Sequence, residues 1–503
     1  MENHKIYGPH DKPPIQKWIP LSFQHVFAMF GATILVPLLT GLSTSTALFT
    51  AGTGTLLYIL VTKAKVPAFL GSSFAFIPAL IGIGQQYGVP YAMGGAICAG
   101  IFYCIVAAIV RITGKGWIDK ALPPVVIGSV IIVIGISLAP TAIGEAFFTN
   151  QTTEVEKLAI QYKDANDNIQ YIEMSESVKE AYISDPSNAE KTLAAAVNKD
   201  GTEQISEVKA TKHTFKQTTS VYSLVALSIA AVTLFVAILA TTFGKGFTAT
   251  ISILIGLLGG YFFTLIMGLF FPEYKFIDFT NVNNAKWFGL PFLQMAEDGS
   301  YFWMVPKFNI VAILTFVIIS ISTICEHLGD TLTTSTVVGQ DFTKDPGLHR
   351  TLCGDGIATA WAAVWGGPPN TTYGENVGVM AITKVYSVWV IGGAAVIATI
   401  LSFCPKFGAL IGTLPTPVLG GICTLLYGMI AASGLRTIVE KGVDYKKKRN
   451  LTISSVILVL GIGGGLLQFK IGSDFTFQLG GVAFATVIGI ILNLILPQEK
   501  ESE

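Results

Sequence analysis

Apolar positions in this chain come in long blocks rather than at the alternating spacing of a half-buried strand or the striped spacing of a surface helix. The blocks lie near 20–40, 46–62, 67–84, 91–110, 124–144, 220–243, 247–271, 308–338, 354–366, 368–385, 387–404, 409–432, 451–468 and 478–496. Most approach the length of about twenty apolar residues that crosses a bilayer as a helix. The pattern predicts an all-α polytopic membrane protein with fourteen transmembrane segments. Two blocks differ from the rest: 67–84 and 368–385 are short and carry Gly, Pro, Ser or Thr where a lipid-facing helix carries Leu.

Composition agrees. Of 503 residues 51% are hydrophobic and 13% charged, about half the charge of a soluble domain, and mean hydropathy is +0.60. Net charge is zero, so no basic surface points to nucleic acid. The six cysteines have no metal-ligand spacing and read as small apolar packing residues. The N-terminus lacks a cleavable-signal pattern, so the first span is expected to insert and stay.

Lysine and arginine set the orientation. With the N-terminus inside, the inner loops collect Lys63, Lys65, Arg111, Lys115, Lys120, Lys245, Lys344, Arg350, Arg436, Lys441 and the run Lys446 to Arg449, while the outer loops GLSTST and GIGQQYGVP carry none. Both termini are then cytoplasmic. The stretch from Glu145 to Lys216 is polar and lies outside in this topology. It reads as a small extracytoplasmic cap or partly ordered insertion, with short helices around EMSESVKEAYISD, and a partner-binding domain is the alternative. Asn150-Gln151-Thr152 fits a glycosylation acceptor.

The chain repeats itself. LPPVVIGSVIIVIG from Leu122 resembles LPTPVLGGICTLLYG from Leu414; YAMGGAICAG from Tyr91 resembles WVIGGAAVIA from Trp389; GSSFAF from Gly71 takes the place of NTTYGEN from Asn370. Each copy holds seven segments. An odd number turns the second copy upside down, giving a 7+7 inverted repeat, the plan of secondary transporters. The two odd blocks are then the third and tenth segments, in corresponding places, and are expected to be short extended stretches leading into half-helices. Such backbone is tolerated in a membrane only inside protein or along a wet cavity. Its free N–H groups and positive dipole ends would face a ligand near the midplane.

Ionisable groups at that depth cost about 2.5 kcal/mol or more, so each needs a reason. Glu375 opens the half-helix of segment 10. Glu326 and Asp330 stand i, i+4 on one face of segment 8. His25 lies within segment 1, with a polar contact to the site as its functional reading, and His327 reads as a structural histidine. Lys384 is expected to snorkel to the inner surface. Phe74, at the tip of segment 3, is placed to stack on a planar ligand. Carboxylates that accept N–H groups, half-helix starts that donate to carbonyls, and an aromatic wall together describe a neutral nucleobase.

At these residues the chain resembles the nucleobase–ascorbate transporter family (nucleobase:cation symporters), most closely its bacterial uracil branch. The matching stretches are SFQHVFAMFGATILVP (22–37), VPAFLGSSFAFI (66–77), EHLGD (326–330), DPGLHR (345–350), NTTYGENVGVMAITKVYS (370–387) and LLYGMIAASGLR (425–436). The resemblance implies a core and a gate domain and a homodimer formed through the gate. It divides the chain into 1–144 (core segments 1–4, gate segment 5), 145–219 (the polar insertion), 220–307 (gate segments 6–7 and an outer loop), 308–404 (core segments 8–11) and 405–503 (gate segments 12–14 and a cytoplasmic tail). By the same resemblance Glu326 and Glu375 hydrogen-bond the base, Phe74 packs on it, Tyr373 and Gly374 offer backbone contacts, and Tyr427 faces the site from the gate. Asp330, Glu326 and His25 are the candidates for proton coupling. The chain departs from the uracil branch at Asp330, where that branch carries histidine and purine and ascorbate branches often carry aspartate.

The expected function is proton-coupled uracil import across the cell membrane by alternating access, with no enzymatic activity, no metal and no cofactor. A purine permease of the same family is the nearest alternative. An anion carrier on the same plan is the alternative of another class, and work done by the outer insertion is a third.

Overall fold

The computed structural model describes residues 6–163, 169–184, 189–197, 206–271, 276–295, 301–471 and 475–497. Fourteen segments run through the first compact unit, residues 1–147 and 225–503. Their helices are α1 (Ile15–Thr40), α2 (Thr44–Val61), α3 (Ile77–Gln86), α4 (Val89–Thr113), α5 (Pro124–Phe147), α6 (Leu224–Phe243) and α7 (Ser252–Phe270) in the first half. The second half has α8 (Ile310–Val338), α9 (Leu348–Val364), α10 (Gly374–Thr383), α11 (Val388–Ser402), α12 (Thr416–Glu440), α13 (Lys448–Ile462) and α14 (Gly481–Ile495). Among the described residues eight of these are long and apolar enough to cross a membrane alone, and α11 joins a short helix, Pro405–Ile411, across a 93° bend.

Two of the shorter ones are short for the reason the sequence suggests. Segment 3 opens with the strand β1 (Leu70–Ser72) and a single tight turn over Phe74–Phe76 before α3 begins. Segment 10 opens with the strand β2 (Asn370–Thr372) and becomes α10 at Gly374. The strands pair antiparallel, Leu70 with Thr372, Gly71 with Thr371 and Ser72 with Asn370, so each satisfies the other's backbone inside the protein. Gly71 permits the crossing: a Cβ there would fall 2.6 Å from the ring of Tyr373. Thr55 Oγ1 adds a hydrogen bond to each side of Leu70, accepting from its N–H at 2.9 Å and donating to its carbonyl at 3.1 Å.

Packing follows the repeat. Exchanging segment n for n+7 turns the contact of α2 with α11 into that of α9 with α4, and α1 with α11 into α8 with α4; all four pairs are made. The α4–α9 crossing brings backbone against backbone, since a Cβ on Gly100 would meet Gly356 O at 2.4 Å. A second group gathers α5 with α12 and α13 with α14.

One end of this unit collects the basic loops. Lys65 Nζ meets Asp345 at 2.6 Å, Lys115 Nζ meets Thr343 Oγ1 at 3.1 Å, Arg350 donates to Val61 O at 3.0 Å, and Arg449 donates to Asn493 Oδ1 at 2.6 Å. The chain before α1 lies at this end too, where Tyr386 N donates to Tyr7 O at 2.8 Å.

Residues 148–224 form the second compact unit. A long antiparallel ribbon, Phe148–Lys163 against Ser206–Tyr222, carries a third strand, Ile169–Glu173. The helices Glu176–Ser184 and Ala189–Val197 also belong to it, the first of them where short helices were expected. Ile160, Met174 and Leu193 make its small core. Asn150 stands on the first strand, its side chain outside those described. The polar sequence begins three residues earlier than this unit because Glu145 belongs to the last turn of α5.

Candidate functional site

The half-helices start beside α8. That helix is fixed at its start by Asn309, whose side chain accepts from Val311 N at 2.8 Å, and it ends at Gly339 in the left-handed conformation. Between the two, helical spacing sorts its polar residues onto separate faces. Glu326, Gly329, Asp330 and Thr333 face a cavity of about 360 Å³. His327 and Thr331 turn into the protein, where His327 Nδ1 is 3.0 Å from Asp355 Oδ2 on α9 with both side chains fully buried, and Thr331 Oγ1 is 3.3 Å from His327 Nε2.

Segment 10 supplies the opposite wall through Thr371, Thr372, Tyr373, Gly374 and Glu375. Thr372 donates its hydroxyl to Asp330 Oδ2 at 3.1 Å. Gly374 is open to the cavity with nothing but backbone to offer, and a Cβ there would meet only Asp330, at 3.5 Å. The Tyr373 hydroxyl donates to Ser72 O at 3.1 Å and lies 3.3 Å from Thr33 Oγ1, so this side chain is committed to the strand crossing. Segment 3 contributes Phe74. The helix starts of segments 3 and 10 thus meet at the cavity, each bringing N–H groups that no preceding turn can pair.

The cavity is open at one end. Its lining continues along the last turns of α8, α10 and α12 through Thr333, Ile382, Ser433, Arg436 and Thr437, toward the face of the basic loops. At the other end Phe74 and Tyr427, both buried, make an edge-on contact with ring centroids 5.7 Å apart.

Of the residues expected at the site, Glu326, Asp330, Glu375, Phe74, Tyr373 and Gly374 all line this cavity. Tyr427 touches Phe74 from α12 without joining the lining. His25 stands apart from it: Asn376 Nδ2 lies 3.0 Å from His25 Nδ1 and 3.2 Å from its carbonyl, so the amide donates to both and the histidine braces the first turn of α10 behind Glu375. One oxygen of Glu326 and the Thr371 hydroxyl are buried with no hydrogen-bond partner among the described residues. Acceptors of that kind are costly to leave unmade.

Sequence reasoning passed over two side chains here. Asp355 is an acid inside an apolar block, CGDGIATAWAAVW, and the rule applied to Glu326 and Asp330 would have caught it. Arg436 was counted with the inner loops. Its spacing from Met429 and Ser433 on α12 places all three on the cavity face.

A family model described as the Permease family matches residues 16–162 and 201–469. The chain belongs to the Permease family. It is 42% identical over 497 residues to the uracil permease of Bacillus subtilis (strain 168), covering 99% of this chain and 96% of that one. It is 39% identical over 492 residues to the uracil permease of Escherichia coli (strain K12), covering 98% and 94%. Two solved structures share the fold at low identity. The transmembrane domain of the cyanobacterial bicarbonate transporter BicA matches with a TM-score of 0.55 at 12% identity over 97% of this chain and all of that one. The murine Slc26a9 anion transporter matches with 0.59 at 10% identity over 96% and 68%. As a member of this family the chain is a multi-pass membrane transporter and not an enzyme, built on the inverted-repeat core-and-gate plan.

Proposed function

We propose that this permease imports uracil across the cell membrane, coupled to protons, by alternating access. The observation that carries the reading is the cavity wall, where the carboxylates of Glu326, Asp330 and Glu375, the starts of two half-helices and the flat apolar face of Phe74 come together. A uracil ring offers ring N–H groups to the acids, carbonyl oxygens to the N–H groups and a π face to Phe74. A permanently anionic substrate would meet three carboxylates. The full-length likeness to proteins named uracil permease supports the same substrate.

Segments 1–4 and 8–11 act as the core and segments 5–7 and 12–14 as the gate, with the base held between them. The termini and the basic loops lie in the cytoplasm, so the cavity opens inward. Release from there, then reclosing with the core shifted against the gate, returns the acids to the outer side. A proton on Asp330 or Glu326 offsets the cost of moving a carboxylate through the closed state. Two copies associate through their gates.

Uptake of labelled uracil into a permease-deficient host tests the substrate. Saturable uptake that unlabelled uracil suppresses more strongly than xanthine is expected. Suppression by xanthine alone moves the assignment to a purine, and no uptake of either base ends it.

A further inference from the structure

Arg436 is a cation that the transport cycle above does not use. It belongs to the body of α12, one turn before the helix ends at Glu440, and it lines the same cavity as Glu326, Asp330 and Glu375. The side chain is exposed, and among the described residues it has no hydrogen-bond or ion-pair partner. A neighbour fixes its place along the cavity. A Cβ on Gly329, which stands between Glu326 and Asp330 on α8, would lie 4.0 Å from Thr437 Oγ1. The inner turn of α12 therefore comes close to the acid-bearing stretch of α8. From Met429 to Arg436 the lining covers two turns of α12, about 10 Å. The cavity volume of about 360 Å³ is within the range of about 300–1,000 Å³ that houses drug-sized ligands. One pyrimidine ring fills only part of it. The deep end thus offers acceptors and half-helix N–H groups, and the inner mouth offers a free guanidinium.

The geometry points to a second ligand for this cavity: the nucleoside monophosphate of the transported base, bound from the inner face with its phosphate on Arg436 and its ring toward the acids. The inference rests on the nucleobase reading of the site. A guanidinium holds a phosphate through two parallel N–H···O bonds. The sugar replaces one ring N–H, so the nucleoside without its phosphate has little to hold it. The phosphate cannot follow the ring inward, because three carboxylates repel it there. The nucleotide therefore occupies the cavity without being carried. A neutral base brought in by a carrier is retained once a reaction joins it to a phosphorylated sugar. The product of that class of reaction is then the ligand that slows further entry.

Purified protein in liposomes of known orientation provides the test. Labelled uracil transport is inhibited with uridine 5′-monophosphate or with uridine, each supplied at one face. At the inner face the nucleotide is expected to inhibit at least about tenfold more strongly than the nucleoside, the gain from hydrogen bonds to a charged group. At the outer face that preference is expected to be absent. In Arg436→Gln the two inhibitors should become equal at the inner face. The ratio is read within each protein, so a change in the variant's own uracil KM does not enter it. No preference for the nucleotide at the inner face overturns the proposal, as does an equal preference at both faces or one that survives in Arg436→Gln. Inhibition by inorganic phosphate as strong as by the nucleotide overturns it too, since the ring is then not engaged. The sidedness comparison uses the unaltered protein alone and decides the matter even where the variant fails to insert. Each of these results leaves the nucleobase reading intact. Absence of uracil transport by the unaltered protein overturns that reading and this one with it.

Discussion

The hydroxyl of Thr372 donates to Asp330 Oδ2 at 3.1 Å and ties the strand of segment 10 to the helix of segment 8 at the cavity wall. The bond couples Asp330, which lines the cavity, to the broken segment. Asp330→Asn is therefore expected to keep the wall intact, because an amide oxygen still accepts from Thr372, while removing a carboxylate proposed to carry the coupled proton. Uptake down a concentration gradient should continue, and accumulation against one should be lost. The measurement is uptake with and without an imposed pH gradient. Accumulation as strong as in the unaltered protein would remove Asp330 from coupling.

Glu326 and Glu375 face the same cavity from different elements, one from the middle of α8 and one from the first turn of α10. If each accepts from the base, each is worth about 1.5–3 kcal/mol, and Glu326→Ala and Glu375→Ala should each weaken uracil binding by roughly ten- to a hundredfold with normal amounts of protein in the membrane. Binding to detergent-solubilised protein reads this directly. Glu375→Ala binding with full affinity would place the base elsewhere.

The strand crossing gives a prediction about stability rather than binding. A methyl on Gly71 would sit 2.6 Å from the ring carbons of Tyr373, whose hydroxyl is held by Ser72 O. The ring has nowhere to turn without giving up that bond. Gly71→Ala is expected to cost about 1–3 kcal/mol by overpacking, and Gly71→Ala with Tyr373→Phe less, since the anchored hydroxyl is gone. Thermal unfolding in detergent compares the two.

Much of this geometry was legible beforehand, and the reasons are physical. A hydropathy block interrupted by Gly, Pro and Thr has few ways to exist in lipid, so GSSFAF and NTTYGEN announce two extended stretches leading into half-helices, while their antiparallel pairing, Gly71 with Thr371, is seen only in the structure. Glu326 and Asp330 fell on one helical face by spacing alone. What spacing does not carry is the partner across a helix pair. His25 reads as a candidate for the site because it is polar in an apolar span, yet its ring meets Asn376, 351 residues away in sequence. Glu145 looked like the first residue of a polar insertion, because a helix that ends at a charge and a loop that begins with one share the same sequence. The long ribbon of 148–163 with 206–222 was hidden for another reason: its alternating threonines and charges also suit an unstructured stretch.

The His327–Asp355 pair tests whether the polar groups behind the cavity hold the fold or serve transport. Both side chains are fully buried, 3.0 Å apart, on helices α8 and α9. Removing one partner leaves the other buried without its counterpart, which costs about 3–5 kcal/mol, whereas replacing both by apolar residues of similar size is close to neutral. His327→Leu and Asp355→Val are each expected to lower the unfolding temperature in detergent sharply and to reduce the protein found in the membrane. The double variant should recover most of that loss. Uracil binding measured on the recovered double variant then separates the roles: affinity near that of the unaltered protein marks a structural strut, and lost affinity with restored stability marks a pair that sets the orientation of Glu326 one residue away.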